Sequence, residues 1–222
     1  MTQLQEALNQ LRESVSEMAR MVSRQLHKSI CALLDRDENL ANVVIFNEKR
    51  VNAHELIIDE ACEHIFALYN PVAHDMRFVF ASLKINSDLE RIGDYAEGIA
   101  NLVILGENKF DTQLIEKMEL KKMYDISDAM LGDVITAYNE DNSKLAGTVF
   151  SRDLQLNEIN RNASDLIIEY LKANTDKIAQ ALYLLSIIRK LERVGDHITN
   201  IAEDIIFYKE AKQLKHGDKK YD

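Results

Sequence analysis

A chain of 222 residues can bury a sizeable core as one large domain or two small ones. Seven glycines and one proline supply too little turn chemistry for many short strands, so the composition reads as all-α. A formal net charge of −10 excludes a general nucleic-acid surface and favours cations or basic protein faces as partners. The N-terminus MTQLQEALNQLRES is polar, and no apolar run reaches the ~18 residues of a membrane span, so no transmembrane segment and a cytoplasmic location are expected. Cys31 and Cys62 form no CxxC pair and read as reduced core thiols.

The first helix announces itself at Leu4, from which Leu8, Leu11, Val15, Met18 and Val22 follow at steps of four and three, the seam of a bundle helix. LDRDENL stops it. A second helix carries Val51, Ile58 and Ile65, with Ala61 and Leu68 between, and ends at Asn70-Pro71 because the residue before proline is pushed out of helical geometry. A third runs from about Ala73 to Leu105 and ends at GEN. Three more are predicted, over Thr112 to Tyr138, Ser143 to Leu171 and Lys177 to Tyr208. Apolar residues such as Val22, Leu26, Met123 and Met130 fit either the core or a dimer contact.

The helices form two sets of three. LERIGDYAE begins at Leu89 and LERVGDHIT at Leu191, which puts Glu90 and Glu192 102 positions apart (192 − 90 = 102). Leu40-Ala41 and Leu145-Ala146 are 105 apart, so the connection at Pro71 carries about three extra residues. Lys84 to Val103 and Ser186 to Ile205 share eight identities in twenty, and the polar residues match as well as the apolar seam. A duplication is therefore predicted: two tandem, quasi-twofold-related three-helix bundles, over residues 1–108 and 109–210, with a polar tail at 211–222.

The carboxylates share faces. Glu90, Asp94, Glu97 and Asn101 are spaced 4, 3, 4 on the third helix, and Glu48, Asn52, Glu55 and Asp59 repeat that spacing on the second. Their counterparts are Asp153, Asn157, Asn160 and Ser164 on the fifth helix and Glu192, Asp196, Thr199 and Glu203 on the sixth, a less acidic set. Like charges four apart destabilise a helix by about 0.2–0.5 kcal/mol per pair, so facing acidic stripes call for cations. Arg77, Lys84, Arg91, Arg189, Lys190 and Arg193 are candidates for neutralising the stripes as solvated faces. Repetition of the whole stripe in register favours hard metal ions held by carboxylate and amide oxygens. Gly93 and Gly195, each immediately before the motif aspartate, cost about 1 kcal/mol relative to Ala and mark either close helix approach or room for a metal centre. His54, His64 and His74 are minor ligand candidates. The ExxH pairs of a di-iron oxidase, HExxH, a Gly-rich phosphate loop and GxSxG are all lacking.

The stretch from Val51 to Ala100, with its helix of Glu55 and Asp59, its PVAHDMR turn and its LERIGD phrase, resembles the first repeat of the PhoU family of phosphate-signalling regulators. LERVGDHITNIAEDIIFY resembles the end of the second. The resemblance spans nearly the whole chain and implies two three-helix bundles and a cytoplasmic, non-enzymatic negative regulator of the phosphate response. It implies as partners a phosphate ABC transporter ATPase subunit and a sensor histidine kinase, and a homodimer. It also implies metal at ExxxD motifs, here Glu55 with Asp59, Glu90 with Asp94 and Glu192 with Asp196. Glu48, Glu97, Asn101, Asp153 and Glu203 extend the set, for iron, Zn, Mn or Mg. HDMR stands where the family has DLR, and Asn157 where its second repeat commonly has Asp. Two other readings stay open: an enzyme with a multinuclear carboxylate centre, and a purely structural helical adaptor.

Overall fold

A computed structural model describes residues 2–106 and 110–212, and every regular element among them is helical. The expected boundary at 108/109 and most of the expected tail, 213–222, lie outside the described residues. Three long helices open the chain: α1 (Gln3–Asp35), α2 (Glu38–Tyr69) and α3 (Ala73–Leu105). They pack on one another as the first bundle. Then come α4 (Thr112–Lys117), α5 (Leu120–Glu140), α6 (Ser143–Gly147), α7 (Val149–Ala173), a 3₁₀ turn (Thr175–Lys177) and α8 (Ile178–Glu210). In the second bundle α8 packs against both α5 and α7.

The repeat shows in the turns. Arg36 is left-handed and ends α1, and Asp37 caps α2 by accepting from the Leu40 amide at 3.0 Å. Asp141 and Asn142 do the same 105 positions later, with Asn142 accepting from the Leu145 amide at 3.0 Å. An acidic or amide side chain satisfies an otherwise orphaned N–H of the first turn in both places.

The expected fourth helix is broken. Glu119 adopts a left-handed conformation between α4 and α5. Met118 and Leu120 are both buried, and a two-residue step cannot keep both on one helical face, so the chain turns to deliver each to the core. The fifth helix has a smaller irregularity at Thr148, whose amide bonds the Leu145 carbonyl three residues back. Leu68, expected on the seam of the second helix, is 69% exposed because the buried face of α2 runs through Ile58, Cys62 and Ile65 to the partly buried Tyr69 and leaves Leu68 one position to its side. Val22, Leu26, Met123 and Met130 are fully buried, which settles them as core.

The bundles join along α3 and α8, which run antiparallel: Lys84, early in α3, pairs with Asp204, late in α8. The quasi-twofold axis is legible in the contacts. Asp88 accepts from the Asn200 amide at 3.2 Å and meets His197 Nδ1 at 2.7 Å. Its counterpart Lys190 lies on Tyr95 and Gly98, the counterparts of His197 and Asn200. At the far end Arg12 of α1 pairs with Asp141 at 2.9 Å and stacks on Phe78, while the Tyr208 hydroxyl donates to the same Asp141 at 2.7 Å. Among the described residues no helix is long and apolar enough to cross a membrane.

Candidate functional site

Leu89, Ile92 and Ile99 turn into the first core and Leu191, Val194 and Ile201 into the second, all buried as the seam predicts. That orientation fixes where the carboxylates go. In the first bundle they line the groove between α2 and α3, and Gly93 sets how closely the two helices approach. A Cβ on Gly93 would lie 3.0 Å from Glu48 Oε1 and 3.2 Å from Val51 Cγ1, so the Glu48 carboxylate occupies the space the glycine leaves.

Glu48 is the most buried acid of this groove, 4% exposed. The Gln25 amide of α1 donates to its Oε2 at 3.4 Å and to the Val44 carbonyl at 3.0 Å, while among the described residues Oε1 has no hydrogen-bond partner. Burial first, then the charges of Asp94, Glu97 and Glu90, pushes this carboxyl up to about 7. Two turns further along, Asn86 of α3 donates to Asp59 Oδ1 at 2.9 Å and to the Glu55 carbonyl at 3.0 Å, and its own buried Oδ1 has no partner among the described residues. Burial and neighbouring acids also raise Glu55 and Glu90 above the ordinary carboxylate range. Arg91 partly neutralises this end, with Nη1 at 2.9 Å from Asp94 and Nε at 3.6 Å from Glu90.

The second bundle repeats the arrangement between α7 and α8. A Cβ on Gly195 would lie 3.1 Å from Asp153 Oδ1 and 2.5 Å from Leu156 Cδ1. Asp153 is 1% exposed and accepts from the Asn157 amide at 2.9 Å. Burial raises Glu192, helped by Asp196 and opposed by Arg193, whose Nη1 lies 3.2 Å from Asp196. Thr199 is buried and donates its hydroxyl to the Asp196 carbonyl, so it closes its own turn of helix.

Not every expected residue joins a groove. Asn52 and Asn101 are exposed. Glu203 lines a separate cleft of about 300 Å³ with Lys84, Ser87, Asp88, Asn200 and Asp204 on the α3–α8 seam. His54 bonds back to Ser14 of α1, at 3.0 Å from its carbonyl, while His64 and His74 are exposed. Of the six candidate cations, Arg91 and Arg193 meet the stripes, Lys84 pairs with Asp204, and Arg77 donates to the Tyr208 carbonyl. Two participants went unnoticed in the sequence. Asn86 stands four residues before Glu90 and simply extends its stripe by a turn, a signal that was readable; Gln25 is on another helix and left none.

The donor set is carboxylate and amide oxygen throughout, the chemistry that suits hard cations, and the orphaned Glu48 oxygen is the kind of atom such an ion satisfies. The acids are strung along the grooves. Among the described residues no three His, Cys, Asp or Glu side chains are gathered so as to hold a metal ion.

The PhoU domain model matches residues 15–103 and again 120–205, the same two halves that the turns and glycines define. The phosphate-specific transport system accessory protein PhoU homolog 1 of Thermotoga maritima is 31% identical over 209 residues, covering 94% of this chain and 89% of that one. The accessory protein PhoU of Escherichia coli K12 is 31% identical, covering 94% and 86%. Among solved structures, the phosphate transport system regulatory protein PhoU from Streptococcus pneumoniae superposes with a TM-score of 0.86 at 28% identity, over 96% of this chain and 100% of the other. PhoU from Pseudomonas aeruginosa gives 0.85 at 28% identity, over 95% and 100%. With the doubled domain match and relatives at this identity over nearly its full length, the chain belongs to the PhoU family.

Proposed function

We propose that this protein is a cytoplasmic, non-enzymatic negative regulator of the phosphate response, which acts as a homodimer between a phosphate ABC transporter's ATPase subunit and a sensor histidine kinase. The observation that carries the reading is the twice-built groove in which a buried acid sits over a motif glycine, Glu48 over Gly93 and Asp153 over Gly195, in a chain that matches a phosphate-transport accessory family along 94% of its length. The grooves hold acids and amides but present no nucleophile with a base beside it, an arrangement suited to binding rather than turnover. Glu48, Glu55, Asp59, Glu90, Asp94 and Glu97 would hold divalent or iron-type ions in the first groove, and Asp153, Glu192 and Asp196 in the second. Such an ion supplies positive charge that cancels the repulsion between stripes. The protein's own residues do the rest: Gln25 and Asn86 orient Glu48 and Asp59, and the glycines let the helices close on the site.

Deleting the gene is expected to leave phosphate-starvation genes switched on in phosphate-rich medium. The purified protein is expected to capture the ATPase subunit or the kinase with an affinity that falls as salt rises, because dissolved ions screen the attraction between oppositely charged faces. Normal repression in the deletion strain would refute the regulatory reading, whatever the metal content.

A further inference from the structure

Among the described residues most lysines and arginines have no carboxylate within 4.0 Å, so it is the gathering of several such cations around one cleft that is distinctive. Arg12, Arg36, Lys84, Arg91, Lys122, Arg152 and Arg193 do each have a carboxylate partner. Beside Gln25, whose amide also reaches Glu48 of the acidic groove, a cleft of about 150 Å³ opens between α1 and α2. Arg24 and Lys28 line it from α1 and Arg50 from α2, with the amides of Gln25 and Asn47 and a single acid, Glu17. Among the described residues none of these three cations has an ion pair within 4.0 Å. Arg24 and Lys28 stand one turn apart on the same helix face, where like charges repel.

The cleft has a built floor. Gln25 is 4% exposed, and its amide nitrogen is fixed by the Val44 carbonyl and Glu48. Two guanidinium forks, an ammonium and an Asn amide around such a floor offer many donors to a ligand with several charged oxygens. The cleft is open to solvent on one side and has room for one tetrahedral oxyanion with part of its hydration.

We propose that the α1–α2 cleft at Arg24, Lys28 and Arg50 is a binding site for a single phosphoryl-type oxyanion, with inorganic phosphate as its ligand. The site stands on its own geometry and does not depend on the regulatory reading: phosphate binding and partner capture are measured separately, and either can fail alone.

The test is calorimetric titration of the full chain with inorganic phosphate at constant ionic strength, chloride serving as the control anion. Saturable one-to-one binding with a Kd below about 1 mM is expected. Arg50→Gln and Arg24→Gln should each weaken it by about tenfold or more, while Arg20→Gln, on the same helix outside the cleft, should change it by less than about twofold. Asn47→Asp keeps the side-chain size and all three cations but places a carboxylate in the cleft, and should abolish binding. Circular dichroism confirms that each variant folds. Failure to saturate, or an Arg20→Gln loss equal to that of Arg50→Gln, would overturn the proposal. So would binding to phosphatidylcholine vesicles containing phosphatidic acid without binding to free phosphate, since the ligand would then be a lipid headgroup.

Discussion

Replacing Glu48 by Gln removes one charge from the most buried position in the first groove and changes little else. The amide has nearly the size of the acid and keeps an oxygen for the Gln25 donor. In the metal-free protein this carboxyl is pushed from the ordinary 4.5 to about 7, chiefly by burial. Below pH ~4.5 it is protonated in both the folded and unfolded chains, and it contributes no pH dependence there. As the pH rises, the unfolded chain ionises first and the folded chain resists, so stability is lost progressively until the pH passes about 7. At about 1.4 kcal/mol per tenfold change in proton affinity, the full loss is on the order of 3 kcal/mol. Chelator-treated Glu48→Gln should therefore exceed the parent in urea-unfolding stability by 2–3 kcal/mol, to order of magnitude, at pH 8 and by under about 1 kcal/mol at pH 5. Added Mn²⁺ or Fe²⁺ should stabilise the parent more than the variant, because an ion that binds only the folded state adds stability by mass action. A variant no more stable than the parent at pH 8 under chelation would refute the claim that Glu48 is a strained, buried anion.

Changing Glu90 to Gln together with Asp94 to Asn should sharply lower the metal that copurifies with the protein, read by elemental analysis; unchanged metal content would remove α3 from any metal site. Gly195→Ala should destabilise more than Gly93→Ala, because the new methyl would meet Leu156 Cδ1 at 2.5 Å in the second groove but nothing closer than 3.0 Å in the first. Against a gain of about 1 kcal/mol in helix propensity, Gly93→Ala should come out within about 1 kcal/mol of neutral and Gly195→Ala about 1–3 kcal/mol worse than the parent in thermal melts. Equal melting shifts would contradict the packing.

Most of the fold is written in local signals. The seams from Leu4 to Val22 and from Leu89 to Val103 have helical spacing, and LDRDENL and Asn70-Pro71 carry stop chemistry where α1 and α2 end. The break at Glu119 was not readable, since KMEL contains neither Gly nor Pro and its cause is the pull of both Met118 and Leu120 into a core made by other helices. The candidate site divides in the same way. Residues on one helix face could be grouped by spacing, so the Glu90–Asp94–Glu97 stripe was visible. Depth was readable in part: Glu48, four residues after Val44 and three before Val51, falls on the buried seam of α2, whereas Asn52 stands one position beside it and is exposed. How closely α2 approaches α3 at Gly93 was not. The Arg24–Lys28–Arg50 cluster depends likewise on the register of α1 against α2, which Gln25 and Val44 show only once they are in contact.

The two grooves also show how a duplicated site diverges without losing its packing. Glu48 and Val51 pack over Gly93 in the first half; Asp153 and Leu156, each 105 positions later, pack over Gly195 in the second. The acid has lost one methylene and its aliphatic neighbour has gained one, so the volume over the glycine is nearly constant, the kind of exchange a close-packed interior tolerates best. Its electrostatic consequence is not neutral. The shorter acid is drawn back toward α7, Leu156 takes the space nearest the glycine, and Asn157, Asn160 and Thr199 stand where the first half has Asn52, Glu55 and Glu97. Packing against the motif glycine is thus kept in both halves, while the charge that would draw a cation is concentrated in the first. Selection for the fold alone explains the retained glycines and the exchanged methylene. It does not explain why each half keeps a buried ionisable acid over its motif glycine, Glu48 in the first and Asp153 in the second, since an apolar side chain of similar size would pack there with no charge to desolvate. These two buried acids, with the additional charge of Glu55 and Glu97 in the first groove, are therefore the positions at which the proposed cation binding is to be tested.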